Sequence, residues 1–476
     1  MTTPHHTIIV ERQPNLPAEI RLLWLERFVT RHRDGLAWIH VSMFFGFMAL
    51  MIIPLFLPLP PDHATFYDNF TLFANFVIWG LWFPLVFVSV IFTGRSWCGV
   101  LCPLGAASEW ANGVGLKRPV PRWVRWQGTP IVSFIVITVL AQTVDARGFP
   151  QGIAVVFGLA FVCAVVLGVV YGPGKKKRPW CRHMCPIGLM LGVFSRIGAV
   201  QFAPKRPRAG GDAYTEKGLC PTMIDLNRKA ESRHCIECFR CVHPDAKGGL
   251  KLVARWPGTE VSQIRRYNPN AAEIWFLFLA TGLSIGGFLW LVLPQYDRLR
   301  QLVGAWAIEH GWYWIGTAGP SWLMSVHPAG REVYTWLDFF MITAFMLACA
   351  AALAAVLAAL TSLSSWIAGR LGADLRFRAR LVEQAYAYMP VAMVSLVIGL
   401  GGELFEALPL LGVPATWIPA LKLALFVLGV LWSLVLGSRL LTAQGLRGVR
   451  QCLPMLPLFA GVVVIGLAWW PAIFGI

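Results

Sequence analysis

Residues 95–105 read RSWCGVLCPLG and residues 178–188 read RPWCRHMCPIG. The two stretches match as Arg-x-Trp-Cys-x3-Cys-Pro-[Leu/Ile]-Gly, with both cysteines offset by 83 positions. Self-similarity at one fixed spacing marks a duplicated structural unit. Two long apolar runs precede each copy. The chain has 476 residues, of which 57% are hydrophobic and 14% charged, and its mean hydropathy is +0.60. Soluble domains carry about 25% charge, so the solvent for most of this chain is a bilayer. Crossing about 30 Å of hydrocarbon takes about 20 apolar residues. Runs near 35–57, 70–93, 129–144, 152–172, 273–293, 337–362, 389–410, 416–437 and 453–474 qualify, the third being short and the seventh carrying two acids. The expected fold is an all-α polytopic membrane protein of about nine transmembrane helices, with a small cytoplasmic insertion.

Lys and Arg set the orientation of such a chain. With the N-terminus inside, 36 of the 41 basic residues fall in inner segments, and only Arg147, Arg298, Arg300 and Arg331 fall outside. This predicts a multi-pass protein of the bacterial inner membrane, with a cytoplasmic N-terminus and a periplasmic C-terminus. Residues 1–34 hold five arginines and no apolar core, so the first span reads as an anchor and not as a cleaved signal. The net charge of +17 is then a topological signature, and nucleic-acid binding is a poor reading of it. The expected organisation is a cytoplasmic segment (1–34), a four-helix membrane domain carrying both repeats (35–188), a cytoplasmic segment (189–270) and a C-terminal membrane domain of about five helices (271–476) with a periplasmic loop (294–336).

Cys98, Cys102, Cys181, Cys185, Cys220, Cys235, Cys238 and Cys241 fall in segments assigned to the inner side, where thiols stay reduced. Metal or redox chemistry suits them better than disulfides. Cys235, Cys238 and Cys241 stand at two-residue gaps, and Cys220-Pro221 lies fifteen residues upstream. A triplet with a remote Cys-Pro is the ligand pattern of a bacterial 4Fe–4S cluster, so the cytoplasmic segment 189–270 is expected to be a small ferredoxin-like iron–sulfur insertion. Zinc also accepts four cysteines, but its sites favour two Cys-x2-Cys pairs. Cys98, Cys102, Cys181 and Cys185 emerge on the same membrane face. Side chains at i and i+4 of a helical turn point the same way, so the two pairs could jointly hold a second 4Fe–4S cluster or another metal centre. A redox dithiol, a Cu(I) site or a structural role for the prolines and glycines also accounts for these pairs. Cys163 and Cys349 read as packing residues, and Cys452 has no assigned role.

Paired WCxxxCP motifs at membrane exits, followed by a ferredoxin-type triplet, resemble the membrane polyferredoxin group of NapH, the membrane part of NosR and the FixG/CcoG proteins. The resemblance covers roughly residues 35–260. It implies membrane-bound 4Fe–4S electron transfer with a quinol, a cytoplasmic reductant or a periplasmic protein as partner, the chain being a component of an oxidoreductase system and not a stand-alone enzyme. Two departures stand out. Where a full ferredoxin motif would place a Cys-Pro after Cys241, this chain has Asp245-Ala246, and residues 273–476 have no counterpart in NapH. The overall plan also resembles FtrD, the proposed electron-handling subunit of ferrous-iron uptake systems, which implies a metal permease and a periplasmic cupredoxin-like protein as partners. The competing class is an iron or copper transport or assembly factor whose cluster is structural or sensing.

Outside these motifs, His310, Met324 and His327 in the loop 294–336 are candidate periplasmic metal ligands, although an interfacial aromatic belt explains the loop equally. His40 lies within a span, where a lone histidine either has a function or hydrogen-bonds a neighbouring helix. Glu403 and Glu406 are expected in the outer part of the seventh span and Lys422 in the eighth, as a Glu–Lys pair or, second, a proton or ion path. Membrane lipid is a partner by composition alone.

Overall fold

A computed structural model describes residues 20–61, 63–205, 214 and 218–474. Among them, eight helices are long and apolar enough to cross a membrane: Gly35–Phe56, Phe70–Thr93, Pro150–Val170, Ala271–Val292, Trp336–Arg370, Phe377–Gly399, Ala415–Ala443 and Val449–Pro471. The short third run forms a helix of 15 residues, Thr129–Thr143. In both hairpins of the first half, the return helix leads directly into a cysteine motif. Both motifs therefore emerge on one face of the helical layer, here called the cysteine face.

Small residues let the helices approach closely, as packing within lipid requires. Pro103–Val114 lies along Pro150–Val170, with Gly168 seated against the Ser108 carbonyl and 3.1 Å from Ala111 Cβ by its own ideal Cβ position. Asn112 secures the end of that contact. Its Nδ2 donates to the Tyr171 and Gly172 carbonyls at 3.1 and 3.2 Å, and its Oδ1 accepts from Lys177 N at 2.7 Å. The second cysteine motif is thereby fixed to the end of the first. In the C-terminal half, Gly282 and Gly286 of Ala271–Val292 face Cys349 and Ala350 of Trp336–Arg370. Cys349 is a packing residue, as its sequence context suggests.

A small lobe covers the cysteine face. Strands β1 (Ile20–Arg21), β2 (Val200–Pro204) and β3 (Leu250–Ala254) form an antiparallel sheet in the order β1-β3-β2, with Phe202 opposite Leu252 and Ile20 opposite Ala254. Phe202, Leu226, Val242, Leu250 and Leu252 build its core, and Cys220, Cys235 and Cys241 are buried among them. The described part of the N-terminal segment belongs to this lobe. Leu22 and Leu25 pack on its core, and the buried Glu26 accepts from Leu252 N at 2.8 Å while pairing with Arg21 at 2.7 Å. The first nineteen residues of the segment 1–34 lie outside the described residues.

Buried ions join the lobe to the C-terminal half. Arg196, with no exposed surface, pairs with Glu260 at 3.0 Å and Glu273 at 2.7 Å. Arg233 also reaches Glu273 at 3.1 Å, Arg255 reaches Glu260 at 2.9 Å, and the Tyr386 hydroxyl donates to Glu273 at 2.7 Å. Charges survive burial when each is paired and hydrogen-bonded.

Two expectations need correction. The seventh span runs Phe377–Gly399, earlier than the apolar run suggests. Its polar first turns are accommodated because Glu383 pairs with Arg265 at 3.0 Å and Gln384 with Gln444 at 2.9 Å. The helix then stops near Gly401, so Glu403 and Glu406 lie beyond the span on a separate short helix, Gly402–Ala407. The segment 294–336 is not a plain loop. It opens with a 16-residue helix, Pro294–Glu309, started by Pro294 at its first position.

Candidate iron–sulfur centres

The two repeats fold alike. Cys102 N donates to Trp97 O at 3.0 Å and Cys185 N to Trp180 O at 2.9 Å, so each motif closes a turn one residue wider than an α-turn. Pro103 and Pro186 each open the next helix, which makes Cys102 and Cys185 the N-cap residues. Cys185 Sγ accepts from Gly188 N at 3.1 Å. A helix N-terminus favours a thiolate there.

Cys98, Cys102, Cys181 and Cys185 line one cavity of about 190 Å³. Cys220, Cys235, Cys238 and Cys241 line a second, narrower one in the lobe, beside Pro221 and Thr222. All eight thiols are free. Burial pushes Cys102 up to about 11, with Cys98 adding to it, and Cys181 to about 12, with Arg178 opposing and Cys102 and Cys98 adding. In the lobe, burial lifts Cys235 to about 12 and raises Cys241 well above its ordinary value, with Cys235, Cys238 and Cys220 adding to it. Among the described residues, no three His, Cys, Asp or Glu side chains close on one point as the ligands of a bare ion do. The sulfurs instead ring cavities. Four soft, mutually facing thiols around a space fit a 4Fe–4S cluster, whose iron would hold them as thiolates, better than a lone zinc ion.

Sequence reading missed the charged residues around these quartets. Arg178 has no exposed surface; its Nη1 donates to the Cys98 carbonyl at 2.9 Å and its Nε to Glu109 at 2.8 Å. Glu109 also takes the guanidinium of Arg240, which stands between Cys238 and Cys241. The corresponding residue of the first repeat, Arg95, donates to the Arg233 carbonyl. The arrangement is reciprocal. An ideal Cβ on Gly105 would lie 3.0 Å from Arg178, and one on Gly188 would lie 3.3 Å from Arg95, so each repeat's final glycine makes room for the other repeat's arginine. The signal was in the motif, whose shared Arg and Gly carried no chemistry by themselves. Lys177 Nζ donates to the Cys220 carbonyl at 3.0 Å, and Lys229 to the Phe202 carbonyl. Burial pushes the Glu237 carboxyl, between Cys235 and Cys238, up to about 8.

His40 Nε2 meets the Gly99 carbonyl at 2.9 Å. A carbonyl only accepts, so that nitrogen carries the proton, and Arg178 Nη2 at 3.4 Å is a neighbour and not a donor to it. On the opposite face, His310 is exposed against Trp306, Met324 is buried beneath Gly319 and His327 stacks on Phe149 at 4.0 Å. Each of the three has a different neighbour. Lys422 lies over the Phe405 ring at 5.2 Å and feels Glu406, while Glu403 feels Arg147.

The cysteine cavity extends away from its thiols. Its walls include Phe47, Trp79, Trp82, Phe83 and Phe157, and its far end carries Gln142 and Arg147. From Phe134 to Gln142 the lining helix alone rises about 12 Å. Arg147 is held there by the Gly399 carbonyl at 2.9 Å and by the Trp79 ring at 5.6 Å.

A family described as a 4Fe-4S binding domain matches residues 75–121 and 155–206, which contain Cys98, Cys102, Cys181 and Cys185. Among curated proteins, the chain is 26% identical over 203 residues to protein NirI of Paracoccus denitrificans, covering 39% of this chain and 28% of that one. It is 23% identical over 189 residues to the ferredoxin-type protein NapH of Escherichia coli, covering 34% and 63%. It is 24% identical over 194 residues to the regulatory protein NosR of Stutzerimonas stutzeri, covering 34% and 26%. The similarity thus spans from about a quarter to under two thirds of these relatives' lengths. No solved structure matches. Residues 75–121 and 155–206 are thus similar to a 4Fe-4S binding domain, and over about a third of its length the chain is similar to NirI, NapH and NosR.

Proposed function

We propose that the chain moves electrons between a quinone pool in the membrane and partner proteins, through two 4Fe–4S centres held by Cys220, Cys235, Cys238 and Cys241 and by Cys98, Cys102, Cys181 and Cys185. A 4Fe–4S cluster, when bound, takes up and returns single electrons. The match to a 4Fe-4S binding domain and the likeness to the ferredoxin-type protein NapH support the membrane iron–sulfur electron-transfer reading. The Lys and Arg distribution supports a cytoplasmic cysteine face in a bacterial inner membrane.

The observation that carries the reading is the continuous cavity with four cysteines at one end and aromatic walls leading to Gln142 and Arg147 at the other. Apolar walls with a few polar groups suit a small amphipathic ring. Aromatic faces would hold the ring, and the Gln142 amide and Arg147 guanidinium could donate to a quinone oxygen. Oxidising a quinol releases two electrons and two protons, and two one-electron centres match the two electrons. The protons need bases. Asp145, raised by burial, and Glu403, raised by burial and then by Glu406, surround Arg147 at that end.

Anaerobically purified protein should bleach in the visible when mixed with a short-chain quinol and recover with the matching quinone. Clusters that respond to dithionite but never to quinol would remove the quinone and leave a protein-to-protein relay. Redox-silent clusters would favour the transport or assembly reading, in which a permease and a cupredoxin-like protein act as partners in iron uptake.

A further inference from the structure

The two cysteine quartets do not stand apart. Gly99, next to Cys98, lies against the backbone of the lobe's cysteine triplet. A Cβ on Gly99 would come within 2.7 Å of Cys238 N and 2.8 Å of Cys238 Cα, and would run into the Ile236 carbonyl. These neighbours are main chain, so no rotamer change relieves the clash. Glycine is required here for close approach.

Residues 177 and 178 tie the same two quartets from the other side. The main-chain N–H of Arg178 donates to the Pro221 carbonyl at 2.8 Å, and Lys177 Nζ donates to the Cys220 carbonyl at 3.0 Å. The Arg178 side chain reaches the Cys98 carbonyl at 2.9 Å. One residue of the second repeat thus touches the Cys-Pro of the lobe and the first cysteine of the first repeat. Its charge also acts on Cys181 and Cys238, one from each quartet. Glu109 completes the joint by taking both Arg178 and Arg240.

We propose that Gly99 and Arg178 form an electron-transfer junction, across which the centres of the two quartets exchange one electron through the Gly99–Cys238 contact. This rests on reading both quartets as 4Fe–4S ligands. The exchange oxidises one centre and reduces the other by one electron, with no bond made or broken and no proton moved. Gly99 supplies closeness. Arg178 supplies a desolvated positive charge between two anionic centres, which favours the reduced form of either. Both are positioning residues.

The test is low-temperature EPR of the anaerobically purified full-length protein at graded dithionite reduction, alongside iron and sulfide counts. Wild type should hold about eight irons per chain, the content of two such clusters. At full reduction its signals should be broadened or split by magnetic interaction, which half reduction lacks. The Gly99→Ala chain should keep its iron and lose most of the splitting. Arg178→Gln should lower both midpoint potentials, and Arg178→Lys should restore them in part. Eight irons with two non-interacting signals in wild type would overturn the junction and leave the electron-transfer reading standing, whether or not the Gly99 variant folds. Equal potentials in the Gln and Lys variants would remove Arg178 from it. Four irons per chain would overturn the two-centre reading itself, and the junction with it.

Discussion

Arg178 donates from Nε to Oε2 of Glu109 at 2.8 Å, with both side chains buried. Burial alone pushes the Glu109 carboxyl up, but Arg178 and Arg240 outweigh it and hold the group below its ordinary value. A carboxyl depressed on folding adds stability that is present above the unfolded value and lost as pH falls through the folded one. The contribution of Glu109 to thermal stability in detergent should therefore be constant near neutrality and be lost below about pH 4. Glu109→Gln should lower stability by about 3 kcal/mol, because it leaves buried arginine charge uncompensated. It should also flatten part of the acid limb. An acid limb identical to wild type would show that this carboxyl is not what titrates.

The quartets should fail independently. Cys98→Ser removes a thiolate from one and leaves the other's four intact, so iron and sulfide should each drop by about half. Cys235→Ser should do the same, while the double variant should bind almost none. Cys452→Ser, at an exposed position away from both cavities, should leave the metal content unchanged. If Cys98→Ser retains its full iron, the repeat cysteines are not ligands.

Much of this was legible in the primary structure, and its limits have physical causes. Apolar runs give spans because lipid demands continuous hydrophobic length, and the cysteine spacing singles out the eight residues that the fold gathers around two cavities. Where the seventh helix starts was not legible, since Glu383 and Gln384 are tolerated only through partners at Arg265 and Gln444, far along the chain. The joining of β1 to β3, more than two hundred residues apart, leaves no local trace in two exposed residues such as Ile20 and Arg21. Gly99 and Arg178 were visible as letters, but the first meets a loop that arrives from residues 236–238 and the second meets Pro221 and Glu109, all distant in sequence.

At the far end of the cavity, Arg147→Leu should raise the quinol concentration needed for half-maximal cluster reduction, leaving reduction by dithionite unchanged. Glu403→Gln should slow quinol oxidation instead, by removing a base, with the larger loss at high pH where the wild-type carboxyl is ionised. The sign for stability is opposite. A carboxyl raised on folding costs stability as pH rises past its unfolded value, so the Gln variant should melt higher than wild type at alkaline pH. Rapid-mixing absorbance and thermal melts separate the two effects. Unchanged quinol kinetics in both variants would take this end of the cavity out of the reaction.

The network around Glu273 should be the strongest link between the lobe and the C-terminal helices. Glu273 has no exposed surface and receives Arg196, Arg233 and the Tyr386 hydroxyl, all within 3.1 Å. Removing one member of such a set leaves the others charged and desolvated, at a typical loss of about 3–5 kcal/mol. Glu273→Leu should therefore destabilise the protein by about that amount, more than Tyr386→Phe, which deletes one hydrogen bond worth about 1 kcal/mol. Arg228 and Asp225, 4.0 Å apart with the arginine side chain 86% exposed, provide the contrast, because water and salt screen them. Arg228→Ala should give no measurable change. Since Arg233 lies two residues before Cys235, the Glu273 variant should also release iron from the lobe faster under chelator than the Arg228 variant does. Equal release rates would mean that the network joins the two halves without bracing the cysteine loop.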